Sequence, residues 1–98
     1  MTKKEAEMIL LLMTLIIDLS GEKLCLVLEQ GKKQIAVHKW DGLFQLSEML
    51  LVELDKFLKK NKINLSDIKK YKVIPSEKSI VSTRIAKAVV LGLKAKMK

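Results

Sequence analysis

The stretch Thr14-Leu15-Ile16-Ile17-Asp18-Leu19-Ser20 constrains this chain more than any other. A nearly unbroken apolar run of this length reads as a strand buried on both faces. Asp18 interrupts the run near its carboxyl end, and Ser20-Gly21 turn the chain at once into a second apolar run. A carboxylate at the end of a central strand lies where sheet proteins with covering helices place their chemistry. Aspartate ahead of Ser-Gly is equally an ordinary way to start a turn. The elements that follow have to decide between the two.

Residues 24–29, Leu-Cys-Leu-Val-Leu-Glu, read as a second strand, and Gln30-Gly31-Lys32-Lys33 supplies hairpin chemistry. A third strand over 34–39 places Ile35 and Val37 on one face, and Asp41-Gly42 ends the meander. From Leu43 the apolar period becomes helical: Leu43, Leu46, Leu50, Leu54 and Phe57 form one stripe, while Phe44, Leu51 and Leu58 recur every seven residues beside it. The basic run Lys59-Lys60-Asn61-Lys62 suits the end of this helix, expected over 43–60. Ser66-Asp67 opens a turn, and residues 71–74 make a short fourth strand stopped by Pro75. Ser79 is placed to cap a last helix over 79–95, which carries Ile80, Ile85, Ala88, Val89 and Leu93, with Val81, Val90 and Leu91 elsewhere on its circumference.

The order is βββαβα, which predicts a mixed sheet ordered 3-2-1-4 with two helices. A right-handed crossover puts the first helix over one face. This is an α/β fold of the ribonuclease-H-like kind, a subdomain of the sort found in actin-like ATPases. Residues 13–98 read as a single domain, with residues 1–12 a leader or short helix ahead of it. Lys3 and Lys4 before an apolar run suggest a signal peptide, but Glu5 and Glu7 spoil its basic region, no cleavage site follows, and the run is too short to span a bilayer.

Net charge is +8, yet Arg84 is the only arginine among 19 basic residues. Lysine is a solvated point charge, whereas recognition of bases and phosphates favours the arginine fork. Aromatics able to stack on bases are few: Trp40, Phe44, Phe57 and Tyr71. A solvated lysine surface accounts for the charge, with weak, salt-sensitive attraction to RNA as the sharper alternative. The lone Cys25 reads as a small core residue and allows no disulfide within the chain, which suits a reducing cytoplasm.

Three carboxylates form a possible metal site: Asp18 after the first strand, Glu48 on the first helix and Glu77 after the fourth strand. In ribonuclease-H-like nucleases acids from these elements hold the divalent ions that cleave phosphodiesters, so a metal-dependent nuclease is one alternative function, and an orphan interaction domain of the same fold is another. His38 reads as a surface residue on an edge strand rather than a general base. Ser76, Ser79 and Ser82 have no neighbouring base to activate them. No nucleotide or other cofactor is expected, because the loop Pro75-Ser76-Glu77-Lys78 lacks the glycines that bring backbone close to phosphate.

From Met13 the chain resembles the amino-terminal half of the TsaB (YeaZ) family, the dimerisation subunit of bacterial tRNA threonylcarbamoyl-adenosine synthesis. The family's first strand ends in aspartate-threonine-serine, matched by Asp18-Leu19-Ser20. Its histidine-serine-glutamate helix start is matched by Leu46-Ser47-Glu48, followed by Leu50-Leu51, and its leucine-serine-aspartate-isoleucine turn by Leu65-Ser66-Asp67-Ile68. Ser79, Arg84, Ile85, Gly92 and Leu93 fall in register with its glycine-rich motif and the helix beyond. The helix histidine, the threonine, the motif glycines and the whole second subdomain are missing. The resemblance implies a non-catalytic scaffold with a degenerate nucleotide site, pairing through a four-helix interface with a TsaD-like subunit, a second copy, or both. It would meet tRNA at most indirectly and no membrane. The contact set expected on this basis is Phe44, Ser47, Leu51 and Leu58 on the first helix and Val81, Arg84 and Val90 on the second.

Overall fold

The side-chain alternation of one strand organises the molecule. In β1 (Met13–Asp18) Leu15 and Ile17 are fully buried, as is Leu19 just beyond, while Thr14, Ile16 and Asp18 between them are half-buried. The computed structural model describes residues 12–42 and 45–96. The expected leader or short helix therefore lies outside the described residues, Leu12 excepted.

β1 pairs antiparallel with β2 (Leu24–Gln30) and parallel with β4 (Ile68–Ile74), and β3 (Lys33–Trp40) pairs antiparallel with β2. The sheet order is thus β3-β2-β1-β4, with β1 inside. The path from β3 to β4 runs through α1 (Leu46–Lys60) and a 3-10 turn (Leu65–Asp67), and α2 (Ile80–Lys96) follows β4. This is the α/β, ribonuclease-H-like order read from the sequence. Among the described residues no helix is long and apolar enough to cross a membrane.

Both helices sit on the same side of the sheet. Leu54, Phe57 and Leu58 of α1 and Ala86, Val90 and Leu93 of α2 share one core with Leu15, Ile17, Leu26, Leu28, Ile68 and Tyr71. The first strand is therefore not buried on both faces, as its unbroken apolar run suggested. Its other face, with Ile16 beside Val27 and Val27 beside Val37, carries no described helix. An apolar run reports hydrophobicity on both sides of a strand; whether two layers or one cover it depends on where later elements dock.

Ile35 and Val37 share one face of β3 as read, and it is the face away from the core. Ala36 and Trp40 pack against the core, opposite Leu28 and Leu24, whereas Ile35 and Val37 stand 40% and 41% exposed on the open face. A register shift between Leu28 and Glu29 inserts one extra residue there, and a one-residue slip exchanges the faces of a strand. β4 begins at Ile68, three residues earlier than read, because Lys69 and Lys70 sit exposed on an edge strand, where charge is tolerated.

Helix α1 stops by hydrogen bonding rather than by its lysines alone. Ile63 N–H donates to Leu58 O (2.9 Å) and Lys62 N–H to Lys59 O (3.1 Å), the paired bonds of a Schellman end. That geometry needs a left-handed residue, and Lys62 supplies it at φ 57° where glycine is usual. Lys62→Gly should therefore raise stability by about 1 kcal/mol, read from urea denaturation midpoints. In the same assay Leu26→Ala should cost about 2–5 kcal/mol and Val37→Ala less than about 1 kcal/mol, since only the first side chain faces the core.

Candidate interaction face

Among the described residues, the outward sides of the two helices carry most of the large apolar exposure. On α1 Leu51 and Val52 are 55% and 45% exposed, and on α2 Ile80, Val81 and Leu91 are 70%, 66% and 67% exposed. Between α1, the connection after it and α2 runs a groove of about 320 Å³. Leu54, Leu58, Ile63 and Leu93 give it an apolar lining, Leu51 is at its margin, and Asp55 and Lys59 supply its charge.

Of the expected contact set, Leu51, Val81 and Arg84 are exposed, whereas Leu58 is a correction: it is 7% exposed and belongs to the core, with one side lining the groove. Val90 is a correction: it is 6% exposed and belongs to the core. Phe44 and the side chain of Ser47 lie outside the described residues. Ile80 and Ala88 are exposed, and Ile80 shares the outer side of α2 with Leu91.

The rotation of α2 is set by hydroxyls, which hydrophobic spacing does not register. Ser79 caps the helix as expected, its Oγ accepting from Ser82 N–H at 3.1 Å. Ser79 Oγ also donates to Ser82 Oγ at 2.9 Å, and Thr83 Oγ1 donates to Ser79 O at 3.1 Å. All three residues are buried, so the inward line runs Ser82, Thr83, Ala86, Val90, Leu93. Spacing offered two stripes; this network selects one. It also closes the loop before α2: Ser76 Oγ accepts from the N–H groups of Lys78 and Ser79, and Ser76 N–H donates to Thr83 Oγ1. The backbone donors at 76, 78, 79 and 82 are thus committed to side-chain oxygens, and a phosphate arriving there would have to displace them.

The three carboxylates do not form a metal site: among the described residues no group of three or more His, Cys, Asp and Glu is placed to hold an ion. Asp18 faces the open side of the sheet with Cys25 and Lys39, opposite the face on which α1 and its exposed Glu48 pack. Its Oδ1 accepts from Ser20 N–H (2.9 Å) and Ser20 Oγ (2.6 Å), so it serves the turn. Glu77 is exposed in the loop before α2. Cys25 is half-buried on the open face rather than in the core; burial pushes its thiol pKa up, Lys39 pulls it down and Asp18 adds to the rise. That leaves the thiol protonated at neutral pH and poorly reactive.

His38 is not simply a surface residue. Its ring stacks on Trp40 and Phe57, with centroids 5.5 and 6.0 Å away, and Nε2 lies 2.8 Å from Glu53 Oε2. This contact ties the edge strand to α1. The signal was present in the sequence: His38 alternates with Ala36 and Trp40, and that set faces the helices. Two outcomes follow from this geometry. Calorimetric titration with ATP should give no sub-millimolar binding, and magnesium or manganese should elicit no phosphodiester cleavage that an Asp18→Asn substitution removes.

No protein-family model and no curated protein matches the sequence. Solved structures that match the fold include YeaZ from Pseudomonas aeruginosa and an uncharacterized protein described as similar to peptidase YEAZ from the same organism. Each superposes with a TM-score of 0.72 at 22% identity and covers 88% of this chain. This chain spans 40% of the first and 39% of the second, less than half of either. A likeness at that identity is one of architecture. The chain carries a YeaZ (TsaB)-like fold over the portion of those proteins that it spans.

Proposed function

We propose that this chain is a non-catalytic pairing subunit, a TsaB-type scaffold that serves tRNA threonylcarbamoyl-adenosine modification by associating with a TsaD-like subunit, a second copy of itself, or both. The observation that carries the reading is the apolar outer surface of α1 and α2, where Leu51, Val52, Val81 and Leu91 are exposed and Leu51 borders an apolar groove. Isolated exposed leucines are ordinary, but a set spread over two adjacent helices marks a contact surface. Two such helix pairs pack as a four-helix bundle, which has two-fold symmetry when the partner is identical. The resemblance in sequence motifs and in fold supports TsaB as the relevant relative. Several groups that could carry chemistry are engaged in holding the fold: Asp18 in a turn, the loop serines in a helix cap, His38 in a strand-to-helix tie.

Sedimentation velocity and binding to a purified TsaD-like protein test the reading. The wild-type chain should self-associate or bind that partner, and Leu51→Glu should weaken the association by about tenfold or more while leaving the circular-dichroism spectrum unchanged. A wild-type chain that stays monomeric at high concentration and ignores the TsaD-like protein would refute it.

A further inference from the structure

The edge of the sheet at β3 offers a second surface, independent of the outer helix face. A groove of about 320 Å³ runs along it, lined on one side by the four consecutive residues 35–38 and on the other by Glu53, Lys56, Phe57 and Lys60 of α1. Consecutive residues of a strand line the same groove only when the groove follows the strand's edge, because successive side chains point to opposite faces. β3 is the terminal strand of the sheet, eight residues long, and among the described residues nothing pairs with its outer side. Every second residue there directs its backbone N–H and C=O outward, a ready template for another strand.

Charge and alternation specify the occupant. Glu53 is engaged by His38, while Lys56 and Lys60 are exposed, one turn apart on the groove wall, and neither has an ion-pair partner among the described residues. On the opposite side of the edge Ile35 and Val37 are exposed and apolar. We propose that this groove takes an extended acidic segment of another protein as a fifth strand, with acidic side chains turned toward Lys56 and Lys60 and apolar ones laid beside Ile35 and Val37. Backbone pairing supplies the affinity and the alternating side chains the selectivity. A second copy of this chain is a poor occupant: its net charge is +8, and edge-to-edge pairing would bring the Lys33 and Lys39 flanks of the two strands together.

The test uses end-blocked peptides of roughly eight residues, about the length of a strand, alternating glutamate with valine, titrated into the full chain by fluorescence anisotropy and followed by amide chemical shifts. Saturable binding is expected, weakening with added salt, with shifts concentrated at residues 35–38 and 56–61. Lysine-valine peptide should not bind. N-methylation of every second peptide amide should abolish binding in one frame and spare it in the other, since only one frame faces β3. The exposed double substitution Lys56→Glu, Lys60→Glu should weaken binding about tenfold or more without changing the circular-dichroism spectrum, and Leu51→Glu should leave it unaltered. No saturable binding, equal binding of both methylated frames, or a single-stranded RNA competing as well as the peptide would each overturn the proposal.

Discussion

The two-residue period of β1 is the constraint on which the rest of the molecule depends. This strand is bonded on both sides, antiparallel to β2 and parallel to β4, so its alternation is imposed on its neighbours through the register. Leu15 and Ile17 stand opposite Leu28 and Leu26 on one side and Tyr71 and Val73 on the other. Those six residues form the floor on which both helices are packed. The intervening positions, Ile16 with Val27 and Lys72, make the reverse face. Shifting β1 by one residue would exchange the two faces across the whole sheet.

Because both helices use the same floor, each can offer it only part of its circumference, and the apolar residues left over become the outer surface. On α1 that remainder is Leu51 and Val52; on α2 it is Ile80, Val81 and Leu91. The same placement leaves the reverse face of the sheet without a described helix, and it brings α1 close enough to β3 for His38 and Glu53 to meet. A single docking choice thus generates the exposed helix face, the open sheet face and the edge groove.

The loop between β4 and α2 uses buried hydroxyls where a glycine-rich turn would leave its backbone open. Four hydroxyl residues, Ser76, Ser79, Ser82 and Thr83, are buried and mutually bonded, and their oxygens take up the N–H groups that a glycine-rich turn would leave pointing outward. The network fixes the helix start and its rotation together. A loop of this kind is committed to holding the fold.

Much of this architecture was legible in the chain itself. The switch from strand to helical period near Leu43, the turns at Gly21 and Gly31, the Ser79 cap and the order of elements all follow from local preference, and they lead to the sheet order and the fold class. The assembly of the site was less legible for an equally physical reason. Periodicity shows that a helix has two apolar stripes, but the choice between them for Val90 and Ile80 is made by contacts with residues far away in sequence and by buried hydroxyls that hydrophobic patterns ignore. The face of β3 depended on one inserted residue opposite Glu29, which no propensity signals. Asp18, Glu48 and Glu77 sat on suggestive elements, and only docking α1 on the side away from Asp18 separated them. What the sequence by itself determined was the set of elements and their connections, because these rest on interactions between near neighbours. The tertiary structure alone decided which sides of those elements are covered, because coverage is a competition among faces that meet only once the chain has closed on itself.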